Sequence, residues 1–271
     1  MGNAMINIIF NLVTSVLFIP FIKPFAKLIQ HIISEQEQVY PLEILKYPLH
    51  KEERRYDEDM ANISLKALQD DKNYLVGQVL EYISSIWDID INRIQHNDMT
   101  EEILDHRTKF NNEEHRELYE EIIDQLDTIF AYMHLLSSVQ LEYDDRQELI
   151  VLQKQFISLS NACKATENIR EYIDIMRGST DKALARIHDE LLHHIVEINK
   201  AVSSLITNNN TTKNDNLAHL VQEITSYHDS ILSHVSPFMK DGNIGEMDLS
   251  SLINLTRELS DGYKDIMKTI T

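Results

Sequence analysis

Cysteine, glycine, proline and basic residues are all scarce in this sequence, and each shortage excludes a class of protein. The single cysteine, Cys163, excludes an internal disulfide framework and fits a reducing compartment. Only 6 glycines and 5 prolines occur among 271 residues, too few turn-forming residues for an all-β fold. The 25 Lys and Arg residues against 44 Asp and Glu give a net charge of −19. This charge argues against a nucleic acid partner, because phosphates require a basic surface.

A hydrophobic content of 43% indicates a folded chain, and its apolar residues are most concentrated near the beginning. From Met5 to Ile22 there is no charged residue, and the segment is rich in Ile, Leu, Val and Phe. About 20 such residues are needed for a helix to cross a bilayer. No Lys or Arg precedes Met5, as a signal peptide would require. We therefore predict a transmembrane helix with an interfacial segment over residues 1–33.

The basic residues that follow this segment predict its orientation. Lys23 and Lys27 lie just after the apolar residues, so the positive-inside rule predicts that the rest of the chain is cytoplasmic. Polar residues such as Asn7 and Asn11 dilute the segment and leave a buried core helix as the alternative. In a membrane, such residues usually face other helices. The segment then fits the last helix of a larger membrane domain.

The remainder of the chain has the apolar spacing of α-helices and no convincing strand pattern. Residues 34–55 are predicted to be a linker, because Pro41, Pro48 and charged residues interrupt any period. Six helices are predicted after it: residues 56–87, 112–138, 144–177, 181–207, 214–236 and 247–270. In the first, an apolar stripe is formed by Ile63, Leu68, Leu75, Val79, Ile83 and Ile86.

An internal similarity divides these helices into two sets of three. The segment Glu121–Phe130 matches Glu223–Leu232 in register, with Glu, Ile, Asp, Ser or Thr, and Ile at the same places. Another long helix is predicted after both copies. The pattern predicts an all-α fold of two tandem three-helix bundles, over residues 56–177 and 178–271.

Several motifs resemble the bacterial sodium/phosphate cotransporter family, in which the final membrane helix leads into a cytoplasmic PhoU-like domain. The membrane part of the resemblance rests on Phe10-Asn11 and Phe18-Ile-Pro-Phe21, with Pro20 inside the second motif and Lys23 after it. The helical part rests on the Glu-x-x-x-Asp element of Glu120 and Asp124 and on the segment Ile129–Leu136. The resemblance implies a PhoU-like fold and a place at the inner (cytoplasmic) membrane, with the body facing the cytoplasm.

The sequence departs from that family in ways that limit what the resemblance implies. The segment Cys163–Glu167 stands where PhoU proteins usually have Glu-Arg-Ile-Gly-Asp, so its first acid is replaced by cysteine and its last is kept as Glu167. Of the corresponding acids in the second repeat only Asp261 is retained, with Gln222 and Ser226 on the partner helix. The Gln-Ser-Ser segments of the family's membrane hairpins are absent. Na⁺ and phosphate would therefore be handled only by a complete transporter, whose transport core this chain lacks.

Carboxylates on two predicted helices raise the question of a metal site. Glu120 and Asp124 lie four residues apart and share a helix face, as carboxylates that bind a hard cation must. Glu167 and Glu171, one turn apart on the next helix, could complete a site for a divalent metal such as Mg²⁺, Mn²⁺ or Fe. The alternative is a solvated acidic face without metal.

Other reactive residues do not form a recognisable catalytic pattern. His188 and His193 are five residues apart, whereas a zincin needs a spacing of four, and the Glu190/His193 pair has no second copy for a di-iron site. These histidines are predicted at interfaces or at the surface. Cys163 lies among small residues and is predicted to be a packing residue. We therefore expect no enzymatic activity.

The sequence favours a membrane-tethered regulatory or interaction domain of a sodium/phosphate cotransporter-type protein. Its expected partners are the membrane and a transporter membrane domain or phosphate-signalling proteins. A second copy of the chain, in a homodimer, is a further possible partner. One alternative is a free-standing PhoU-like phosphate-signalling regulator that binds a transporter or a histidine kinase. Another is a structural helical protein without that role.

Overall fold

The computed structural model describes residues 42–49, 58–207, 219–220, 222, 224–226 and 246–270. Every regular element within these ranges is helical, which confirms the all-α prediction. A 3₁₀ turn over Glu43–Lys46 comes first. We name the α-helices of more than four residues that follow it α1 (Glu58–Ile86), α2 (Ile91–Gln95), α3 (Thr100–Asp105), α4 (Asn112–Ser137), α5 (Tyr143–Gly178), α6 (Lys182–Thr207) and α7 (Glu246–Ile270).

Helices α1, α4 and α5 form a three-helix bundle with alternating directions. Ser64 and Ser85 of α1 contact Tyr132 and His115 of α4, respectively, so α1 and α4 are antiparallel. Near the C-terminal end of α1, Tyr82 bonds to Glu167 of α5, and the carbonyl of the later residue Ile86 bonds to the later residue Arg177. These two helices therefore run in the same direction. The core between them is filled by aliphatic side chains and by fully buried Phe156, Tyr82 and Trp87. Burial of this apolar surface is the main stabilising contribution.

Helices α6 and α7 are parallel to one another and pack against both α5 and α1 of the first bundle. Leu184 of α6 lies near Leu252 of α7, and Asn199 further along α6 bonds to Tyr263. Among the described helices, α5 and α7 have the most extensive contact. It is antiparallel, because Asn168 bonds to Glu258 whereas the earlier Ala162 lies beside the later Gly262. Small residues at this crossing let the two backbones approach closely.

Two short helices between α1 and α4 were not predicted. Helix α2 is capped by the side chain of Asp90, which accepts a hydrogen bond of 2.9 Å from the backbone N–H of Asn92. Both α2 and α3 pack against α6. The chain turns into α2 at Asp88, whose φ of 59° lies in the left-handed region.

The structure shows how two long helices begin or end, and it corrects one predicted core residue. The N-cap of α4 is Asn111, and it forms a capping box with Glu114. Gly178 belongs to the last turn of α5, and the residue after it, Ser179, is the C-cap. Ile63, assigned to the apolar stripe of α1, is 39% exposed, because the helix turns Ser64 and Leu65 inward instead.

Part of the predicted linker contains ordered structure. The carboxylate of Asp71 accepts hydrogen bonds from the backbone N–H groups of Glu43 (2.6 Å) and Ile44 (3.1 Å), which begin the 3₁₀ turn. Leu42 and Ile44 are buried. Residues 42–49 are therefore held against α1 by one charged side chain and by two apolar ones.

Some predictions lie outside the described residues. These are the transmembrane and interfacial segment 1–33 with Phe10, Asn11, Phe18, Pro20, Phe21 and Lys23, most of the predicted helix 214–236, and most of the repeat copy Glu223–Leu232. In the ranges that the structure does describe, no helix is both long enough and apolar enough to cross a membrane.

Candidate functional site

The two carboxylates predicted on α4 lie on its outer surface. Glu120 is exposed, and its Oε1 lies 3.8 Å from Nε of Arg116. Asp124 is exposed one turn further along, where its backbone carbonyl accepts a hydrogen bond from the hydroxyl of Thr128. The sequence predicted correctly that these two side chains share a face.

The carboxylates predicted on α5 point to different surroundings. Glu167 is half-buried and is held by other side chains: Arg170 donates two hydrogen bonds to it, of 2.9 and 3.1 Å, and the hydroxyl of Tyr82 donates another. Glu171 is exposed at the rim of an apolar pocket that also contains Leu252 and Leu255. The two acids thus differ in exposure and in their neighbours.

Among the described residues, no three His, Cys, Asp or Glu side chains converge closely enough to hold a metal ion. The three hydrogen bonds to Glu167 occupy oxygen lone pairs that a cation would need. A site made of Glu120, Asp124, Glu167 and Glu171 would therefore require side chains to move, and it stays a prediction.

The surroundings of Glu167 form a small polar cluster inside the first bundle. Burial works to raise the pKa of Glu167, but hydrogen bonds from Arg170 and Tyr82 outweigh it and hold this pKa below its ordinary value. The same carboxylate raises the pKa of Tyr82, after the larger effect of burial. The ring of Tyr119 lies 5.9 Å from that of Tyr82 and brings α4 into the cluster. The cluster therefore contains a carboxylate that stays ionised near neutral pH.

Cys163 lies one turn before Glu167 and is fully buried, as its predicted packing role requires. Burial, and then the nearby charge of Glu167, raise the pKa of the thiol to about 12. Because only the thiolate is an effective nucleophile, this thiol is unreactive at neutral pH.

His115 is a second buried polar residue of this bundle, and it was not singled out from the sequence. Its Nδ1 lies 3.2 Å from the hydroxyl of Ser85, and its ring packs 5.9 Å from that of Phe110. Burial lowers the pKa of His115, and the positive charge of Arg170 lowers it further. The imidazole is therefore neutral at neutral pH.

A buried hydrogen-bond chain joins three helices that are distant in sequence. The side-chain amide of Asn199 donates to the hydroxyl of Ser84 (2.9 Å), and its carbonyl accepts from the hydroxyl of Tyr263 (2.7 Å). All three side chains are at most 1% exposed. In the sequence, the only sign of these hydrogen bonds is one asparagine at a core position of α6. The partners of that asparagine cannot be identified until the register between the helices is known.

The histidines of α6 do not form a common site. His188 is only 6% exposed, and its ring centroid lies 5.7 Å from that of Trp87, so it lies at the interface between α6 and the end of α1 and not at the surface. His193 is exposed, as predicted, and His194 lies half-buried in a groove that also contains Glu197 and Thr100 of α3. The helix thus separates His188 from the other two.

A charged contact connects the ends of α1 and α5. Asp88 is 4% exposed, and its Oδ2 lies 3.3 Å from Nε of Arg177. Arg177 also donates a hydrogen bond of 2.7 Å to the carbonyl of Ile86, which the helix end leaves without an intrahelical partner. This contact holds the chain as it leaves α1.

Searches against protein-family models, curated proteins and solved structures found no match to this chain.

Proposed function

We propose that this chain is the cytoplasmic regulatory and interaction part of a sodium/phosphate cotransporter-type membrane protein, with a PhoU-like helical body that residues 1–33 tether to the membrane. The transport core would belong to other parts of the complete transporter. The body would act by binding that core or phosphate-signalling proteins, not by catalysis.

The helix directions are the observation that supports this proposal best. In a three-helix unit with short connections, the first and third helices run parallel and the second runs against them. Helices α1 and α5 have this relation, with α4 between them, and α6 and α7 are parallel as well. Two tandem three-helix units, which the resemblance to PhoU-like domains implies, would have this order.

The internal chemistry supports binding over catalysis. The polar groups at the centre of the body bond to one another: Glu167 to Tyr82 and Arg170, and Asn199 to Ser84 and Tyr263. Buried networks of this kind hold helices in one register. The outer face of α4, by contrast, displays carboxylates to solvent and can contact a partner.

Membrane fractionation tests the tether. The full chain should stay in the membrane pellet after washing with high salt and with alkaline carbonate, because an apolar span is held by the bilayer and not by charge. A chain that begins at Ser34 should appear in the supernatant. Full-length protein that is monodisperse without detergent would contradict the tether and would favour the free-standing regulator.

Phosphate uptake tests the regulatory role. In cells of the source organism without this gene, uptake of labelled phosphate should lose its normal response to sodium or to external phosphate. The full chain should restore that response, and the chain that begins at Ser34 should not. Uptake that is the same with and without the gene would contradict the role.

A further inference from the structure

The outer surface of α5 differs in charge from the rest of this acidic chain. From Leu149 to Thr166 the helix contains no Asp or Glu, although the chain has 44 of them. Three aliphatic residues in this part are exposed: Ile150 (37%), Val151 (51%) and Ile157 (50%). Lys154 and Lys164 are exposed in the same stripe and form no ion pair with any described residue. We call the residues Ile150, Val151, Lys154, Ile157 and Lys164 the α5 face.

The neighbouring helix displays the opposite chemistry. Exposed acids recur every three or four residues along α4, opposite its buried side: Glu113, Glu117, Glu120, Asp124 and Asp127. Arg116 is the only Lys or Arg between the first and last of them, and it lies 3.7 Å from Glu113 and 3.8 Å from Glu120. We call these five acids the α4 face.

The two faces lie at overlapping heights on adjacent antiparallel helices. Tyr82 contacts both Tyr119 of α4 and Glu167 of α5, so these two residues are level with one another. Lys164 is therefore level with the middle of the α4 face. Ile157 lies about two turns nearer the α4–α5 loop than Lys164, about level with Asp127, and Ile150 and Val151 lie nearly four turns nearer it, beyond the last of these acids.

We propose that the α5 face binds the α4 face of a second copy of this chain, in a two-fold dimer. A two-fold axis that brings α4 of one copy against α5 of the other also makes the reciprocal contact. The dimer therefore contains two identical contacts, each between one α4 face and one α5 face. The aliphatic residues form the centre of each contact, and lysines meet acids around them. This inference does not depend on the membrane tether.

Charge complementarity favours a second copy, because one copy already carries both halves of the contact. The net charge of −19 opposes most other approaches of two copies, since they would bring acids against acids. Pairing α5 with α5 would leave the lysines without acids. The α4–α5 arrangement is the one that uses both faces.

Cross-linking of mixed copies tests the contact directly. Full-length protein labelled with ¹⁵N is mixed with unlabelled protein in mild detergent and treated with a carbodiimide, which joins lysines to carboxylates in contact. Mass spectrometry should find labelled peptides with the α5 lysines joined to unlabelled peptides with the α4 acids, and the reverse. Cross-links that join only peptides of the same label would overturn the proposal.

Charge reversal provides a second test. The double variant Lys154→Glu/Lys164→Glu should raise the dissociation constant of the dimer by at least about tenfold in sedimentation equilibrium, because lysine–acid attraction becomes repulsion. The matched control is Lys66→Glu/Lys109→Glu, which makes the same charge change at exposed positions outside the face. An equal effect of both double variants, or no effect of the first, would overturn the proposal.

Reversing the charges of both faces together tests whether the two faces pair with each other or whether only the net charge of the protein matters. Adding Glu117→Lys/Asp127→Lys to the Lys154→Glu/Lys164→Glu chain reverses both faces and should return the dissociation constant to near its original value. All these positions are exposed, and equal melting temperatures will confirm that each variant is folded. Full-length protein that sediments as a monomer at every concentration would also overturn the proposal.

Discussion

Asn199 has no exposed surface, yet both ends of its side-chain amide have partners on other helices. It accepts from Tyr263 of α7 and donates to Ser84 of α1. A buried polar group costs free energy when its partner is lost, so helices in another register would leave this asparagine unpaired. We infer that it selects the register of α1, α6 and α7.

Removing one hydroxyl tests this inference. The substitution Tyr263→Phe keeps the ring but leaves the carbonyl of Asn199 without a donor, and should lower the free energy of unfolding by about 1–3 kcal/mol. Tyr143→Phe, at a side chain that is 76% exposed, is the matched control and should have almost no effect. Urea unfolding followed by circular dichroism will measure both. If Tyr263→Phe is as stable as the original protein, the hydrogen bonds of Asn199 do not set the register of the helices.

His194 predicts a pH dependence of stability. Burial lowers its pKa to about 4 in the folded protein, although the nearby charge of Glu197 works in the opposite direction. An unfolded histidine titrates near about 6.5, so between these values the unfolded chain binds more protons. The contribution of His194 to stability is therefore complete above the higher value and is lost as the pH falls toward the lower one.

A pair of adjacent histidines provides the comparison. His194→Gln should make the free energy of unfolding less sensitive to pH between about 6.5 and 4, by about 1–3 kcal/mol over that interval. His193→Gln, at the exposed neighbouring position, should leave the pH dependence unchanged. Urea titrations at a series of pH values will show the difference. The same slope for His194→Gln and the original protein would refute the assignment.

At the scale of elements, the contact between α5 and α7 depends on small side chains. A Cβ atom added at Gly262 would lie 3.5 Å from Cβ of Ala165 and 3.7 Å from the carbonyl oxygen of Ala162. These are ordinary contact distances, so a methyl group fits at this position. A larger side chain would have to push the two helices apart.

Substitutions at two glycines should separate helix propensity from packing. Gly262→Ala should raise the free energy of unfolding by about 0.5–1 kcal/mol, because glycine disfavours a helix interior. Gly262→Leu should lower it by about 1–3 kcal/mol through overpacking. At Gly77, where nothing lies within 4 Å of an added Cβ, both substitutions should be tolerated. A tolerated Gly262→Leu would contradict the close approach of α5 and α7.

The long helices could be predicted from the sequence because their signals are local. Apolar spacing predicted the ends of α4, α6 and α7 to within one or two residues. Helices α2 and α3 were missed because five or six residues are too few to show a helical period. The capping of the 3₁₀ turn by Asp71 was also missed, since it joins residues that are distant in sequence.

The candidate site was less predictable than the helices. The spacing of Glu120 and Asp124 correctly gave a shared face, because that relation lies within one helix. The environment of Glu167 depends on Tyr82 of α1, and no local pattern reveals which side chain of a distant helix will be opposite. The contact of His188 with Trp87 was missed for the same reason.

At the scale of the whole molecule, the fold is defined by the directions of its helices, and the proposed function depends on them. A bundle of α1, α4 and α5 continues into the parallel helices α6 and α7, and the antiparallel α5–α7 contact joins them. The described helices belong to one compact unit, Leu42–Thr271. The proposed membrane tether and the proposed dimer both depend on this helical body having the arrangement described.

Spin-label distances across the α5–α7 contact test this arrangement most directly. In a Cys163→Ala background, one label is placed at exposed Asn161 of α5, and the second at either Lys268 or Ser250 of α7. Since a helix rises about 1.5 Å per residue and Asn161 lies about level with the residue after Gly262, antiparallel packing predicts that the distance to Ser250 is longer by about 10 Å than the distance to Lys268. Equal distances, or a longer distance to Lys268, would contradict the architecture on which the account depends.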